Sequence, residues 1–277
     1  MTSQTDKAET FRALHSDGCF LIPNPWDVGS ARILQGLGFK ALATTSAGFA
    51  NAQGVNDYNV TRDMVLTHAR ALCNATTIPV SADLENGFGD SPEHCAETIR
   101  LAADAGLVGG SIEDFAGQDR GQYDIDRARE RIAAAAEAAR ALPFFFMLTA
   151  RAENFFTGTP DLADTIARLQ AYQEAGADVL FAPGLRTLDD IRSVVASIDL
   201  PLNVLIGPKS GPVPVAELAT LGVRRISLGS ALANAANGAL IRAAQELLQT
   251  GTFGFTKDGI GGAQLMAIMN DETPGDR

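Results

Sequence analysis

Residues 79–114 read "PVSADLENGFGDSPEHCAETIRLAADAGLVGGSIED", and how they divide decides the fold. "PVSADL" and "GGSIED" are short strand-forming runs. Between them "SPEHCAETIRLAADAG" has a Ser start, apolar residues at helical spacing and a Gly stop. Strand, helix, strand is a βα unit feeding a parallel sheet. The alternation continues along the chain. Further strands are expected at "CFLIPN", "ALATTS", "FFFMLTAR", "DVLFAPG", "LNVLIG" and "RRISLGS", which makes eight, with helical patterns such as "DIDRARERIAAAAEAARA" and "DLADTIARLQAYQEAG" between them. The phrases "GLGFKAL", "DAGLVGG", "EAGADVL" and "TLGVRRI" each put Gly just after a helix and a strand soon after it, a weak internal repeat.

Eight such units predict an α/β fold, a (β/α)8 TIM barrel, and 277 residues suit one such domain over 1–277. A C-terminal helical extension is expected over about 230–270. Within it, "FGFTKDGIGGAQLMAI" lies beyond the eighth unit and is apolar enough to need a partner surface, while the tail "MNDETPGDR" is expected to fray.

With 46% hydrophobic and 20% charged residues the chain can bury a large core. A net charge of −11 and a pI near 4.7 exclude the basic face that nucleic acid requires. Cys19, Cys73 and Cys95 are too scattered for a disulfide framework or a zinc site, which points to a reducing compartment. No apolar run reaches signal-peptide or membrane-span length, so the expectation is a cytoplasmic protein without a membrane partner.

In a barrel of this kind the chemistry sits at the C-terminal ends of the strands. Those ends offer Ser46 and Gly48, then Asp83 and Glu85, Glu113 and Asp114, Arg151 and Glu153, and Asn203. Alternation along a strand would aim Asp83 and Glu85 into the mouth together, with Glu113 beside them. Converging carboxylates repel one another unless a cation compensates, and hard oxygen ligands suit Mg²⁺ or Mn²⁺. Arg151 ends a very apolar run, so it pairs with Glu153 or Glu113, or grips a substrate carboxylate through both arms of its fork. His15, His68 and His94 fall outside the strand ends and read as structural or surface residues. Trp26 and the aromatic run 144–146 read as core or pocket wall, and Cys19 as a small buried apolar residue.

The combination "NPWDVGSARILQGLGFKALATTSAGFA", "SADLENGFGD", "SIED" and "TARAENF" resembles the isocitrate lyase and phosphoenolpyruvate mutase superfamily over about residues 20–235. The resemblance implies a barrel assembled as a dimer of dimers, with the eighth helix exchanged between subunits. It implies a 2-oxo acid substrate whose enolate a bound Mg²⁺ stabilises. Asp83 matches the direct metal ligand, and Asp57 in "GVNDYN", Glu85 and Glu113 match acids that hold waters around the metal. Ser46, Ala47 and Gly48 match a turn that receives substrate oxygens, Trp26 and Asp83 are expected among the substrate-binding residues, and Ser46 and Glu113 are expected to be catalytic with Arg151. Arg151 matches an arginine beside the substrate, and Asn203 a polar residue for the distal carboxylate.

The departures narrow the activity. The isocitrate and methylisocitrate lyases carry a Lys-Lys-Cys-Gly-His loop after the fourth strand, whereas this chain reads "EDFAGQDRGQYDIDRARERI". The cysteine acid is missing. The Lys and Asn of the mutase and phosphonopyruvate hydrolase branch are also missing between Asp114 and Arg127. The expected activity is a Mg²⁺-dependent carbon–carbon lyase or decarboxylase of a small 2-oxo or 2-hydroxy dicarboxylate, gated by a loop over about 115–124. Arg120, Tyr123 or a water would supply the proton. Three alternatives stand beside it: a phosphoenolpyruvate or carboxyphosphonoenolpyruvate mutase or phosphonopyruvate hydrolase, a non-catalytic 2-oxo acid binder, and a phosphate-binding isomerase barrel using Gly229 in "SLGSALA".

Overall fold

In the computed structural model, which describes every residue except 1, 118, 208, 209, 212 and 272–277, eight parallel strands form a nearly closed barrel. They are β1 (Phe20–Ile22), β2 (Leu42–Ala43), β3 (Val80–Asp83), β4 (Gly109–Glu113), β5 (Met147–Arg151), β6 (Val179–Phe181), β7 (Leu202–Leu205) and β8 (Arg225–Ser227). Neighbours pair in the order β1-β8-β7-β6-β5-β4-β3-β2. The Ala43 amide donates to the Pro23 carbonyl at 3.1 Å across the remaining seam, between β1 and β2. This is the expected (β/α)8 barrel.

The helices are α1 (Gln4–Leu14), α2 (Val28–Gly36), α3 (Ser46–Ala52), α4 (Arg62–Ala75), α5 (Pro92–Asp104), α6 (Ile125–Arg140), α7 (Leu162–Glu174), α8 (Leu188–Val195), α9 (Val215–Thr220), α10 (Ala231–Thr250) and α11 (Gly262–Met269). Thr61, Asp124, Asp161 and Thr187 cap α4, α6, α7 and α8 by accepting a first-turn amide, as short polar side chains at that position should. The four glycines of the repeated phrases, Gly38, Gly106, Gly176 and Gly222, all have φ between 92° and 99°. A side chain there would be strained, so one turn chemistry is used four times.

The strands are shorter than the sequence suggests. The aromatic run 144–146 precedes β5 rather than beginning it, and Ser46 opens α3 instead of closing a strand. Helix α1 was not anticipated, although Ser3 and Asp6 form a complete capping box. It closes the bottom of the barrel. Phe11 is fully buried there with Ile22, Val108, Met147 and Val179, while the Lys7 ammonium donates to the carbonyls of Cys73 and Thr76 at the end of α4.

Past β8 the chain leaves the barrel surface. Only Ala233 of α10 is buried, and Leu240, Ile241 and Leu248 are 68%, 55% and 87% exposed. Helix α11 returns to α2, where Arg32 and Gln35 donate to Asn270 and Asp271 at 3.0 Å. The rest of the tail expected to fray lies outside the described residues. No described helix is long and apolar enough to cross a membrane.

Candidate active site

At the C-terminal ends of the strands, five acids surround one guanidinium. Asp83 ends β3, and its amide donates to the Thr44 hydroxyl at 2.9 Å. Its Oδ1 accepts from Arg151 Nη1 at 2.9 Å and from the Glu85 amide at 3.2 Å. Strand pairing places Glu113 of β4 opposite Arg151 of β5, and their side chains meet at 3.2 Å. Arg151 Nε donates to Glu153 at 2.9 Å, and the guanidinium lies over the Phe181 ring. Two of the three guanidinium nitrogens are thereby given to protein acids. The two-armed grip on a substrate carboxylate is not available in this arrangement, and only Nη2 is without a partner among the described residues.

Glu85 reaches the site for a reason other than strand alternation. The strand has ended, buried Leu84 turns inward, and Glu85 has φ +48°. That turn carries its carboxyl to a second cavity of about 670 Å³, which it shares with Phe88, Asp90 and Arg120. Tyr58 and Phe88 also have positive φ, at 64° and 58°. Three strained non-glycine residues in one neighbourhood are the kind of feature that collects at functional sites.

These acids lack positive charge. Burial first, and then Asp83 and Asp57, push Glu85 up to about 8, and burial and Asp83 raise Asp57. Burial also holds Glu113 well above the usual carboxylate range, against the pull of Arg151. Glu85 Oε1 and Glu153 Oε2 are buried with no hydrogen-bond partner. No three described His, Cys, Asp or Glu side chains are gathered to hold a metal ion directly. Asp83, with Oδ2 uncommitted, fits a cation held by one carboxylate while the other acids act through water, the arrangement Mg²⁺ favours. The donor set is all oxygen and suits that group.

The main cavity, of about 380 Å³, is lined by Ser46, Ala47, Asp57, Asp83, Arg151 and Asn203 among others. Gly48 and Trp26 do not line it. The Gly48 amide is taken by the Thr45 hydroxyl at 3.2 Å, and a Cβ on Gly48 would lie 2.6 Å from Thr45 Cγ2 and 3.3 Å from Trp26 Cβ. Gly48 is thus needed for close packing of α3 against its surroundings, and half-buried Trp26 belongs to that packing. Both polar ends of Asn203 are also occupied, Nδ2 by Ser227 and Oδ1 by Arg225, at 2.9 Å each. Asp114 points away from the mouth, where its carboxylate accepts from Arg168, Tyr172 and the Glu153 amide.

Two residues of the loop after β4 are tied to Asp90, in the loop after β3. Asp90 accepts from Tyr123 and Arg120, each at 2.5 Å, so both proton-donor candidates are committed outside the main cavity. Tyr58 does line it; its hydroxyl donates to Glu113 at 2.9 Å and stands between the two cavities. Neither Tyr58 nor Asn24, whose Oδ1 accepts from the amides of Leu228 and Gly229 at 2.8 and 2.9 Å, is among the residues expected from the sequence. Nor is Arg225, which burial alone holds down at about 9. His15 is buried beneath the site, Cys19 is only half-buried, and His68 is stacked on Phe49.

The sequence pattern of the phosphoenolpyruvate phosphomutase family matches residues 11–248. The chain belongs to that family. A Burkholderia cenocepacia J2315 crystal structure, assigned no further than lyase or mutase, is 56% identical over 95% of each chain, with a TM-score of 0.93. The 2-methylisocitrate lyase of Escherichia coli K12 is 30% identical over 70% of this chain and 68% of its own. The oxaloacetate decarboxylase of Chromohalobacter salexigens is 29% identical over 83% of this chain and 81% of its own. The family places the chain among the lyases of the isocitrate lyase/PEP mutase superfamily, and its relatives there act on small organic acids.

Proposed function

We propose that this barrel is a carbon–carbon lyase or decarboxylase of a small 2-oxo or 2-hydroxy dicarboxylic acid, dependent on Mg²⁺ or Mn²⁺. The observation that carries the reading is the crowding of acids at the mouth: Asp83, Glu113 and Glu153 share the single guanidinium of Arg151, no described cation pairs with Asp57 or Glu85, and one oxygen of buried Glu85 is unpartnered. A divalent cation on Asp83 would supply that charge and stabilise the negative charge that develops on the 2-oxo oxygen.

The chain's own residues then have separable tasks. The Ser46 and Ala47 end of α3 faces the cavity and orients substrate oxygens, while Arg151 fixes Asp83 and Glu113 in place and keeps Nη2 for the substrate. With a 2-oxo acid the bond to the departing carboxylate breaks, its electron pair stays with the 2-oxo fragment and carbon dioxide leaves; with a 2-hydroxy acid the hydroxyl gives up its proton and becomes the carbonyl of the 2-oxo product, and the electron pair stays with the other carboxylate fragment. The fragment that keeps the pair then needs a proton on carbon. Tyr58, hydrogen-bonded to Glu113 in the cavity wall, is placed to hold and pass it, and replaces the loop cysteine that the chain lacks. The exposed Leu240, Ile241 and Leu248 of α10 support burial against a second copy of the chain.

A coupled assay for pyruvate release tests the reading on oxaloacetate, substituted malates, 2-methylisocitrate and phosphonopyruvate, each with and without EDTA. EDTA-sensitive release from a carbon–carbon substrate is expected. Turnover of phosphonopyruvate alone would move the chain to the hydrolase branch, and binding without release would make it a 2-oxo acid binder.

A further inference from the structure

One layer below the acids, the barrel holds a buried cation with no counter-charge. Ser81, Ser111 and Thr149 sit two residues before Asp83, Glu113 and Arg151 on β3, β4 and β5, and all three line the main cavity. The inward period of two places this hydroxyl layer under the charged one. Arg225, from the first position of β8, reaches across into it and is only 5% exposed. Its Nε donates to Asn203 Oδ1 at 2.9 Å and its Nη2 to the Thr149 hydroxyl at 3.0 Å. Its Nη1 lies 3.4 Å from His15 Nε2. The other ring nitrogen of His15 donates to the Phe11 carbonyl at 2.8 Å, which leaves Nε2 a neutral acceptor.

Every partner of Arg225 is therefore neutral, and no described acid pairs with it. Arg151 and Arg168, also buried, each hold carboxylates. Arg131 lacks an acid too, but it donates to the carbonyls of Gly89 and Asn86, lies on the Tyr123 ring and lines neither cavity. Arg225 is different because it faces open space. A guanidinium keeps its charge when buried, so an unpaired one facing a cavity calls for an anion from outside the chain.

We propose that Arg225 seats the second carboxylate of the substrate at the cavity floor, so that a dicarboxylate is recognised from both ends. The inference rests on the function proposed above for the 2-oxo end, at Asp83, Ser46 and Ala47. It makes Arg225, not Asn203, the residue that selects for an anionic distal group. Asn203 and Thr149 are positioning residues that hold the guanidinium toward the cavity. Any group on the middle carbons would lie against Phe181, Leu205 and Leu228.

The test is affinity, not turnover, measured by calorimetry on the full chain in Mg²⁺ with pairs that differ only in a terminal methyl or carboxylate. The pairs are 2-oxovalerate with 2-oxoglutarate, and 2-hydroxybutyrate with malate. In the unsubstituted protein, one dicarboxylate at least is expected to bind about tenfold or more tightly than its partner. Arg225→Met is expected to erase that preference while leaving the monocarboxylate within about threefold. A structural role would weaken both members of a pair alike, and that result overturns the assignment. So does equal affinity within both pairs in the unsubstituted protein, a result that needs no variant to fold. A dicarboxylate preference with no pyruvate release would keep the Arg225 site and discard the proposed chemistry.

Discussion

The two halves of the barrel mouth are built differently. Around β3 to β5, Asp83, Glu113, Arg151 and Glu153 are bonded to one another, and Tyr58 and the Thr44 hydroxyl hold two of them in place. Around β6 to β8, the apolar part of the wall is Phe181, Leu205 and Leu228, with Arg186, Ser210 and Ser230 also lining the cavity and Asn203, Ser227 and Arg225 buried beneath. A charged network of this kind fixes positions, because moving one member leaves buried charge unpaired. An apolar wall instead admits or refuses substituents. On the proposed function, the first half would carry the reaction and the second would set which acid is accepted.

The largest effect should come from Asp83→Ala. If the charged half holds the cation, kcat/KM falls about 1000-fold or more, since the loss includes the stabilisation of developing charge. Steady-state kinetics on the best substrate of the pyruvate-release panel measures it, and an activity within a few fold of the parent would break the division between the halves.

Arg151→Lys should follow, at about 100-fold in kcat/KM. One ammonium cannot hold Asp83, Glu113 and Glu153 together, and buried carboxyls would be left without partners. The thermal midpoint should fall in the same variant. An unchanged midpoint would mean that the network relaxes more easily than its burial indicates.

Leu205→Ala tests the other half. The expected change is about tenfold in the ratio of kcat/KM between substituted and unsubstituted malates, with little change on the unsubstituted acid. Equal losses on every substrate would show that the apolar wall supports the chemistry and is not a selector.

The smallest effect concerns pH and lies outside the mouth. His68 is stacked on Phe49 at 4.1 Å with its Nε2 buried and unpartnered, and burial lowers it to about 4. The unfolded chain takes up that proton near pH 6.5, before the folded one does, so its contribution is full above pH 6.5 and is lost as pH falls toward 4. His15, which burial lowers to about 3, acts in the same direction. His68→Phe should flatten the loss by about 2 kcal/mol between pH 6.5 and 4, read from denaturant midpoints across that range.

The charged half was also the legible half. Asp83, Glu113 and Arg151 follow apolar runs at strand ends, where an ionisable residue is conspicuous and the barrel geometry says which way it faces. Glu85 was found for a reason that the structure replaces, because a positive φ has no signature in residue type alone. Tyr58 sits on a loop with no periodicity to place it. Arg225 was hidden inside "RRISLGS", although Arg225 and Ser227 alternate as two inward-facing residues of one strand should. Gly48 was expected to receive substrate oxygens only because the resemblance aligns it with such a turn, and its neighbours here are Thr45 and Trp26. Helix α1 carried its capping box in plain view, but its place at the barrel floor depends on distant residues that no local pattern names.

The central claim is that this mouth stabilises an enolate, and proton exchange at the methyl group of pyruvate measures that without requiring the natural substrate. Pyruvate in D₂O with the protein and Mg²⁺ is followed by NMR, beside samples containing EDTA or the Asp83→Ala protein. The account predicts that the methyl signal is lost through deuterium uptake faster than in protein-free buffer, and that both controls abolish the acceleration. Pyruvate that binds without exchanging, or exchange that persists in EDTA and in Asp83→Ala, would contradict it.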